Sequence, residues 1–137
     1  MTAAVLTQES RAKRTKRILV IDDEASATYL LTTLLERQGH ETVAVNDSRR
    51  AVDEIREFEP DVILLDINMP IFSGYQIARA VQADRALRHI PIVAVTSLDD
   101  DEHLRRSLEV GIRHQITKPF HTGELCELIE RLTGREL

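Results

Sequence analysis

Short apolar runs recur along the chain, and each is followed by a segment in which apolar residues return at helical spacing. The runs are continuous and rich in β-branched residues, as is typical of strands buried on both faces of a sheet; they cover residues 18–21, 42–45, 62–65 and 92–95. Residues 112–117 alternate apolar and polar side chains, which predicts a half-exposed edge strand. Strands that alternate with helices predict a doubly wound α/β fold, (βα)5, because each crossover helix has to pack back on a parallel sheet.

The helical segments are amphipathic, and their apolar spacing predicts which side chains face the sheet. The first helix, about residues 27–38, is predicted to bury Ala27, Leu30, Leu31, Leu34 and Leu35. The fourth, about residues 99–110, has a narrow apolar stripe of Leu104 and Leu108, so its other face, with His103 and Arg106, is interpreted as exposed. The five histidines show no metal-ligand spacing and are interpreted as surface residues: His40, His89, His103, His114 and His121.

Cap residues bound the predicted helices. Gly39 follows the first helix as a left-handed C-terminal cap. Ser48 can cap the second helix, and Ser73 with Gln76 has the spacing of a capping box before the third. The last helix ends near Gly134.

Size and composition are those of a soluble single-domain protein. The chain has 137 residues, 42% of them hydrophobic and 30% charged, which fits one domain over residues 17–134. Its apolar runs are too short to span a membrane, no export signal is visible, and a single cysteine, Cys126, cannot form an internal disulfide. We therefore expect a cytoplasmic protein.

Charge is distributed unevenly along the chain. The first 17 residues carry five basic side chains against one acidic one, so they hold +4 of a net charge of −5 and the remainder holds −9. An acidic body argues against nucleic-acid binding by the folded part. Residues 1–16 contain no aromatic side chain for base stacking and are interpreted as a disordered basic tail.

Polar side chains follow the predicted strands where these end. Asp22 and Asp23 follow the first strand, Asp66 the third, Thr96 the fourth and Lys118 the fifth. Ligands of doubly wound sheets bind at the carboxyl ends of the strands, so we expect these side chains to converge.

Three carboxylates ~6 Å apart repel by roughly 3 kcal/mol per pair at an effective dielectric near 20. Lys118 and a divalent ion would offset this, and carboxylate, carbonyl and water oxygens are the ligands that Mg²⁺ prefers. With such an ion beside it, Asp66 can act as the nucleophile of a phosphoryl transfer.

The motifs VIDDE, LLDINMP, VTS and ITKPF, in this order and spacing, closely resemble the receiver domain of two-component response regulators over residues 17–134. The resemblance implies a flavodoxin-like strand order, 2-1-3-4-5. It also implies that Asp66 accepts a phosphoryl group from a histidine kinase or a phosphotransfer protein. The Mg²⁺ ligands implied are Asp22, Asp23, Asp66 and the backbone carbonyl of Asn68, with Asp23 the direct ligand and Asp22 the more water-mediated one.

Further positions match the family, and one departs from it. By the resemblance, Lys118 pairs with the phosphoryl group, Thr96 moves its hydroxyl toward that group, and the Lys118–Pro119 peptide is cis. Receivers usually carry an aromatic ring or a histidine at the switch position that Gln115 occupies here, and a glutamine amide cannot fill space as an apolar ring face does. His114 is no substitute, because neighbouring strand residues point to opposite faces. We predict that phosphorylation persists, whereas the responses of the last helix, the edge strand and the fourth helix differ from the common pattern.

The leading functional hypothesis is a stand-alone receiver, a signalling switch that catalyses only its own phosphorylation and dephosphorylation. Leu137 ends the chain shortly after the last helix, with no DNA-binding or catalytic output domain, so the output is a contact with an unknown protein target or a phosphoryl relay; a homodimer is also open. The alternative is an adaptor on the same fold that binds partners without phosphorylation. A phosphatase-like enzyme is disfavoured, because Asn68 stands where a second acid would protonate the leaving group.

Overall fold

The computed structural model describes residues 15–134, so the predicted basic tail, residues 1–16, lies almost wholly outside the described part. The strands are β1 (Arg17–Ile21), β2 (Glu41–Val45), β3 (Val62–Leu65), β4 (Ile92–Thr96) and β5 (His114–Thr117). The helices are α1 (Ala25–Arg37), α2 (Ala51–Phe58), α3 (Gly74–Ala83), α4 (Asp101–Glu109) and α5 (Thr122–Thr133), with a 3₁₀ helix at Ser48–Arg50 before α2. Within residues 15–134, no helix has the length and apolar character needed to cross a membrane.

All five strands lie parallel in one sheet of order β2-β1-β3-β4-β5, which confirms the predicted doubly wound, flavodoxin-like fold. The register decides which residues meet at its edge. Ile21 at the end of β1 is aligned with Leu65 at the end of β3, so the residues that follow, Asp22 and Asp66, emerge side by side. Thr96 is aligned with Thr117, so Lys118 leaves β5 at the same edge.

Alternate strand residues divide the core into two layers, one on each face of the sheet. One layer joins strand residues such as Leu19, Ile63 and Ala94 to the apolar side chains of α2 and α3. The other joins Ile18, Val20, Leu64 and Val95 to side chains of α1 and α5, among them Leu31, Leu35, Leu125 and Leu128. The strand runs are buried on both faces because helices cover both, as the sequence predicts.

The buried face of α1 differs from the prediction at one leucine. Leu31 and Leu35 are buried as expected, but Leu30 is 58% exposed, and the prediction that it faces the core is wrong. Thr28, rather than Leu30, lies on the buried face of α1 with these two leucines. A threonine is tolerated there because its hydroxyl donates to the Ala25 carbonyl and accepts from the side-chain amide of Asn46.

The buried face of α4 is the reverse of the predicted one. Leu104 and Leu108 are 44% and 62% exposed, and the buried residues of this helix are His103 and Ser107. The predictions that His103 is a surface residue and that the two leucines face the core are therefore wrong. His103 lies inward because both of its ring nitrogens have polar partners there.

The turns around α2 and α3 confirm one cap and correct another. Ser73 and Gln76 form the predicted capping box at the start of α3. Ser48 does not cap a helix: Asp47 caps the 3₁₀ helix, while the Ser48 hydroxyl donates to the Pro70 carbonyl and accepts from the Phe72 amide. This pair of bonds ties the loop after β3 to the start of α2.

Candidate functional site

Three carboxylates meet at the carboxyl edge of the sheet. One oxygen from each of Asp22, Asp23 and Asp66 lies within 4.8 Å of the others. Asp22 and Asp23 continue the chain beyond β1, and Asp66 follows β3, which is hydrogen-bonded to β1. The predicted acidic cluster therefore forms, and it does so because neighbouring parallel strands end at the same level.

The three acids differ in exposure and in partners. Asp22 is only 3% exposed; its Oδ1 accepts from the Glu24 amide at 3.0 Å, and its Oδ2 lies 3.4 Å from Nζ of Lys118. Asp23 is exposed, and Asp66 is partly buried. The backbone amide of Ile67 donates to Oδ1 of Asp66 at 2.8 Å. Oδ2 of Asp66 thus remains the freer of its two oxygens.

The environment of Asp66 destabilises the ionised form of its carboxyl group. Burial is the main cause that raises the pKa of Asp66 to about 6, and the neighbouring carboxylate of Asp22 adds to the shift. Lys118 and the Ile67 amide act in the opposite direction. Each pair of carboxylates at this spacing repels by about 3 kcal/mol at an effective dielectric of about 20. A cation placed among the three acids would relieve the repulsion.

Lys118 is the basic side chain that reaches this cluster in the described part of the chain. Its backbone amide donates to the Thr96 carbonyl at 2.9 Å, continuing the ladder between β4 and β5. The Lys118–Pro119 peptide is cis, as the family resemblance implied. The ammonium group reaches Asp22 rather than Asp66 in this structure.

Thr96 ends β4 and is 2% exposed. Its hydroxyl oxygen accepts from the Leu98 amide at 3.3 Å. Leu65 of β3 is aligned with Ala94 of β4, so Asp66 and Thr96 both lie at the carboxyl edge of neighbouring strands. Asn68 is exposed, and the role of its backbone carbonyl as a metal ligand stays a prediction.

Gln115 lies two residues before Thr117 on β5 and faces the loop between β4 and α4. Its amide nitrogen donates to the Leu98 carbonyl at 2.6 Å and to the Thr117 hydroxyl at 3.0 Å. Its amide oxygen lies 2.6 Å from Nε2 of His103. Gln115 is therefore a fixed member of a hydrogen-bond network rather than a loosely held replacement for a ring.

Sequence reasoning missed two members of this network, Tyr75 and His103. The Tyr75 hydroxyl is hydrogen-bonded to Nδ1 of His103, and the centroids of the two rings are 5.6 Å apart. Arg106 is exposed, as predicted, and its guanidinium stacks over the Tyr75 ring at 4.2 Å. One signal in the sequence is consistent with this arrangement: residues 103, 107 and 110 recur at helical spacing and share a face.

The chain is similar to proteins of one family. Residues 18–130 match the family model described as the response regulator receiver domain. The chain is 37% identical over 110 residues to the DNA-binding response regulator MtrA of Mycobacterium tuberculosis, covering 80% of this chain and 47% of MtrA. It is 33% identical over 123 residues to the polar-differentiation response regulator DivK of Brucella abortus, covering 88% of this chain and 98% of DivK. The chain thus spans about half the length of MtrA and nearly all of DivK.

A solved structure of a receiver domain resembles this fold. The receiver domain of sensor histidine kinase PA1611 from Pseudomonas aeruginosa PAO1 superposes with a TM-score of 0.81 at 26% identity, covering 88% of this chain and 99% of that domain. That domain was solved with a magnesium ion coordinated in its active-site cleft.

Proposed function

The chain belongs to the response regulator receiver family, and on this premise we propose that Asp66 is the residue that accepts a phosphoryl group. The observation that carries the proposal is the convergence of three carboxylates and one ammonium at the carboxyl edge of the sheet. Within this cluster, Asp22 is buried and engaged by Lys118, whereas Asp66 is more open and has one freer oxygen. Asp66 is therefore better placed than Asp22 to act as the nucleophile.

The proposed reaction is a transfer from phosphohistidine on a histidine kinase or a phosphotransfer protein. A carboxylate oxygen of Asp66 attacks phosphorus; a P–O bond forms, the P–N bond breaks, and the imidazole leaves with the electron pair and takes up a proton. With a pKa of about 6, Asp66 is mostly ionised at pH 7 and able to attack. The Ile67 amide, which donates to Oδ1, leaves Oδ2 to form the new bond.

Two neighbouring groups are proposed to hold the product. Phosphorylated Asp66 carries about two negative charges in place of one. The ammonium of Lys118, 3.4 Å from Asp22 in the present structure, is the cation that would move onto the phosphoryl oxygens. The Thr96 hydroxyl, which here only accepts a bond from Leu98, is free to donate its proton to another of those oxygens.

The acidic cluster fits a hard divalent cation such as Mg²⁺. Carboxylate oxygens are its preferred ligands, and those of Asp22, Asp23 and Asp66 are close enough to share one ion; the Asn68 carbonyl is the further ligand that the resemblance implies. When bound, the ion supplies positive charge against the phosphoryl oxygens. The magnesium ion in the similar PA1611 domain supports this choice of metal.

Phosphorylation is proposed to change a protein-interaction surface, so that the domain works as a signalling switch. MtrA is a DNA-binding regulator, but it is about twice as long as the part of it that this chain matches, so its DNA binding is not transferred here. The chain matches DivK over 98% of its length, so DivK, a polar-differentiation response regulator, is the more suitable guide to the size of the functional unit.

The test is to incubate the purified protein with acetyl phosphate and Mg²⁺ and to weigh the intact chain. We expect a gain of one phosphoryl group, lost when EDTA replaces Mg²⁺ and absent in Asp66→Asn. Asp61→Asn is the matched control, since Asp61 lies just before the opposite end of the same strand, β3. Failure to gain mass with acetyl phosphate and with a phosphorylated histidine phosphotransfer protein would favour the phosphorylation-independent adaptor.

A further inference from the structure

A continuous chain of hydrogen bonds runs from Tyr75 on α3, through His103 on the buried face of α4, to Thr96. It passes from the Tyr75 hydroxyl to Nδ1 of His103, and from Nε2 of His103 to the side-chain oxygen of Gln115. The Gln115 amide then donates to the Leu98 carbonyl, and the Leu98 amide donates to the Thr96 hydroxyl. We call these five residues, Tyr75, His103, Gln115, Leu98 and Thr96, the polar relay.

The direction of each bond is fixed by chemistry. The Leu98 carbonyl can only accept, so the Gln115 group facing it is the NH₂ and the group facing His103 is the oxygen. That oxygen can only accept, so Nε2 of His103 carries a proton. In the neutral ring Nδ1 then accepts, and the Tyr75 hydroxyl donates to it. Burial raises the pKa of the Tyr75 phenol, so it keeps the proton that it donates.

The relay also holds α4 against the domain. Of the nine residues of α4, those that are buried are His103 and Ser107, and both are polar. The helix therefore lacks the buried leucines that anchor α1 and α5. Its N-terminal half is held largely through the His103 ring, while Val110, just beyond the helix, joins the apolar core. Changes in the hydrogen bonds of His103 should consequently shift α4 more readily than they would an apolar-packed helix.

This inference rests on the proposed function of Asp66. We propose that Gln115 is a positioning residue. Its side chain is held by His103, which is held in turn by Tyr75, and it fixes the Leu98 peptide and so links the Thr96 hydroxyl to α4. If the Thr96 hydroxyl turns toward a phosphoryl group on Asp66, the Leu98 amide either loses its acceptor or follows it. Because the Leu98 carbonyl is held by Gln115, movement of this peptide pulls on the Gln115 amide and through its oxygen on His103. The hydrogen bonds of Gln115 thus take the place of the aromatic ring or histidine that receivers usually carry at this position.

The test compares backbone amide NMR shifts with and without beryllofluoride and Mg²⁺, the beryllofluoride standing in for the phosphoryl group. In the wild type we expect shifts next to Asp66 and along residues 101–109. In Gln115→Leu, which keeps the size of the side chain but removes its hydrogen bonds, we expect the shifts next to Asp66 to remain and those of α4 to fall by at least half.

Further variants separate coupling from mere structural support. Tyr75→Phe removes a single oxygen and should reduce the α4 shifts while keeping the fold, so it carries the test if Gln115→Leu fails to fold. His103→Gln retains a donor and an acceptor and should restore more of the response than His103→Leu. His114→Gln, on the neighbouring position of β5 outside the relay, is the matched control and should respond as the wild type does.

The outcomes distinguish the two proposals. If beryllofluoride shifts the amides near Asp66 in every variant and the α4 shifts of Gln115→Leu and Tyr75→Phe equal those of the wild type, the relay has only a structural role and the inference is overturned. If the wild type shows no shift near Asp66, the proposed function fails, and the inference fails with it.

Discussion

Removing the charge of Asp66 should stabilise the metal-free domain at neutral pH. In the folded state the pKa of Asp66 is raised from 3.8 to about 6, chiefly by burial and next by the Asp22 carboxylate. Between these two values the folded chain binds a proton that the unfolded chain has released, so the free energy of unfolding falls as pH rises. The loss is complete above about pH 7 and absent below about pH 4. Asp66→Asn has no such titration and should escape it.

The expected size follows from the shift. The difference between a pKa of 3.8 and one of about 6 corresponds to about 3 kcal/mol as an upper limit. Asp66 is only partly buried, so solvent screens its interactions, and we expect about 1.5 kcal/mol. In Asp66→Asn the side-chain amide oxygen can still accept from the Ile67 amide, so the substitution removes charge with little loss of hydrogen bonding.

The assay is urea unfolding followed by far-UV circular dichroism, in EDTA, from pH 4.5 to 8. The gain in unfolding free energy of Asp66→Asn over the wild type should grow from pH 4.5 to about pH 7 and then level off. Asp53→Asn, an exposed position on α2, should give a small difference that does not grow. Adding Mg²⁺ at pH 8 should reverse the order, because a ligand at 100 times its Kd stabilises the wild type by about 2.7 kcal/mol. A difference that is independent of pH, or a variant less stable than the wild type at pH 8 in EDTA, would refute the electrostatic reasoning.

Three further predictions concern the scaffold, each measured by urea unfolding. A Cβ at Gly74 would lie 2.8 Å from the Cα of Ile67, so Gly74→Ala should cost about 1–3 kcal/mol, whereas Gly123→Ala, where nothing lies within 4 Å, should not destabilise; equal effects would contradict the close approach. Ser73→Ala should cost about 1 kcal/mol through loss of the capping box, and a neutral result would count against it. Leu108→Ala should change stability by less than about 0.5 kcal/mol, whereas a loss above about 2 kcal/mol would mean that α4 packs as its sequence pattern suggested.

The sheet and the acidic cluster could be predicted because they depend on local patterns. Continuous apolar runs such as Val62–Leu65 have one stable place, between two layers of helices. Once the strands are parallel, the residue after each run has to lie at the carboxyl edge, which brings Asp22 and Asp66 together without knowledge of any side-chain contact. Topology alone therefore forms this part of the site.

The buried face of α4 could not be predicted in the same way. Periodicity assigns the core to the most apolar stripe, which on this helix is Leu104 and Leu108. The face that is buried carries His103, whose burial is acceptable only because Tyr75 and Gln115 satisfy both ring nitrogens. These partners lie 28 and 12 residues away along the chain, so no window of local sequence contains them.

Smaller errors have the same origin. Ser48 precedes a helix and has the chemistry of a cap, yet its hydroxyl is used by the Pro70 carbonyl and the Phe72 amide, groups that fold back onto it from the loop after β3. Thr28 occupies a buried position of α1 because Asn46 supplies a donor from the loop after β2. In each case a polar group is buried through a partner that only the tertiary structure supplies.

Local sequence patterns fail at two places, the acidic cluster and the buried face of α4, and the strand pair β4 and β5 leads to both. At the carboxyl edge, carboxylates are clustered against their mutual repulsion; on α4, polar side chains occupy the core-facing positions that leucines would fill. Natural sequences depart from consistent patterning mainly where function requires it. β4 ends on Thr96 at the first place, and β5 carries Gln115, aligned with Ala94, to the second. Because β4 and β5 are adjacent, hydrogen bonds run from the Thr96 hydroxyl through Leu98 and Gln115 to His103. His103 lies on a helix that has no buried apolar residue within residues 101–109.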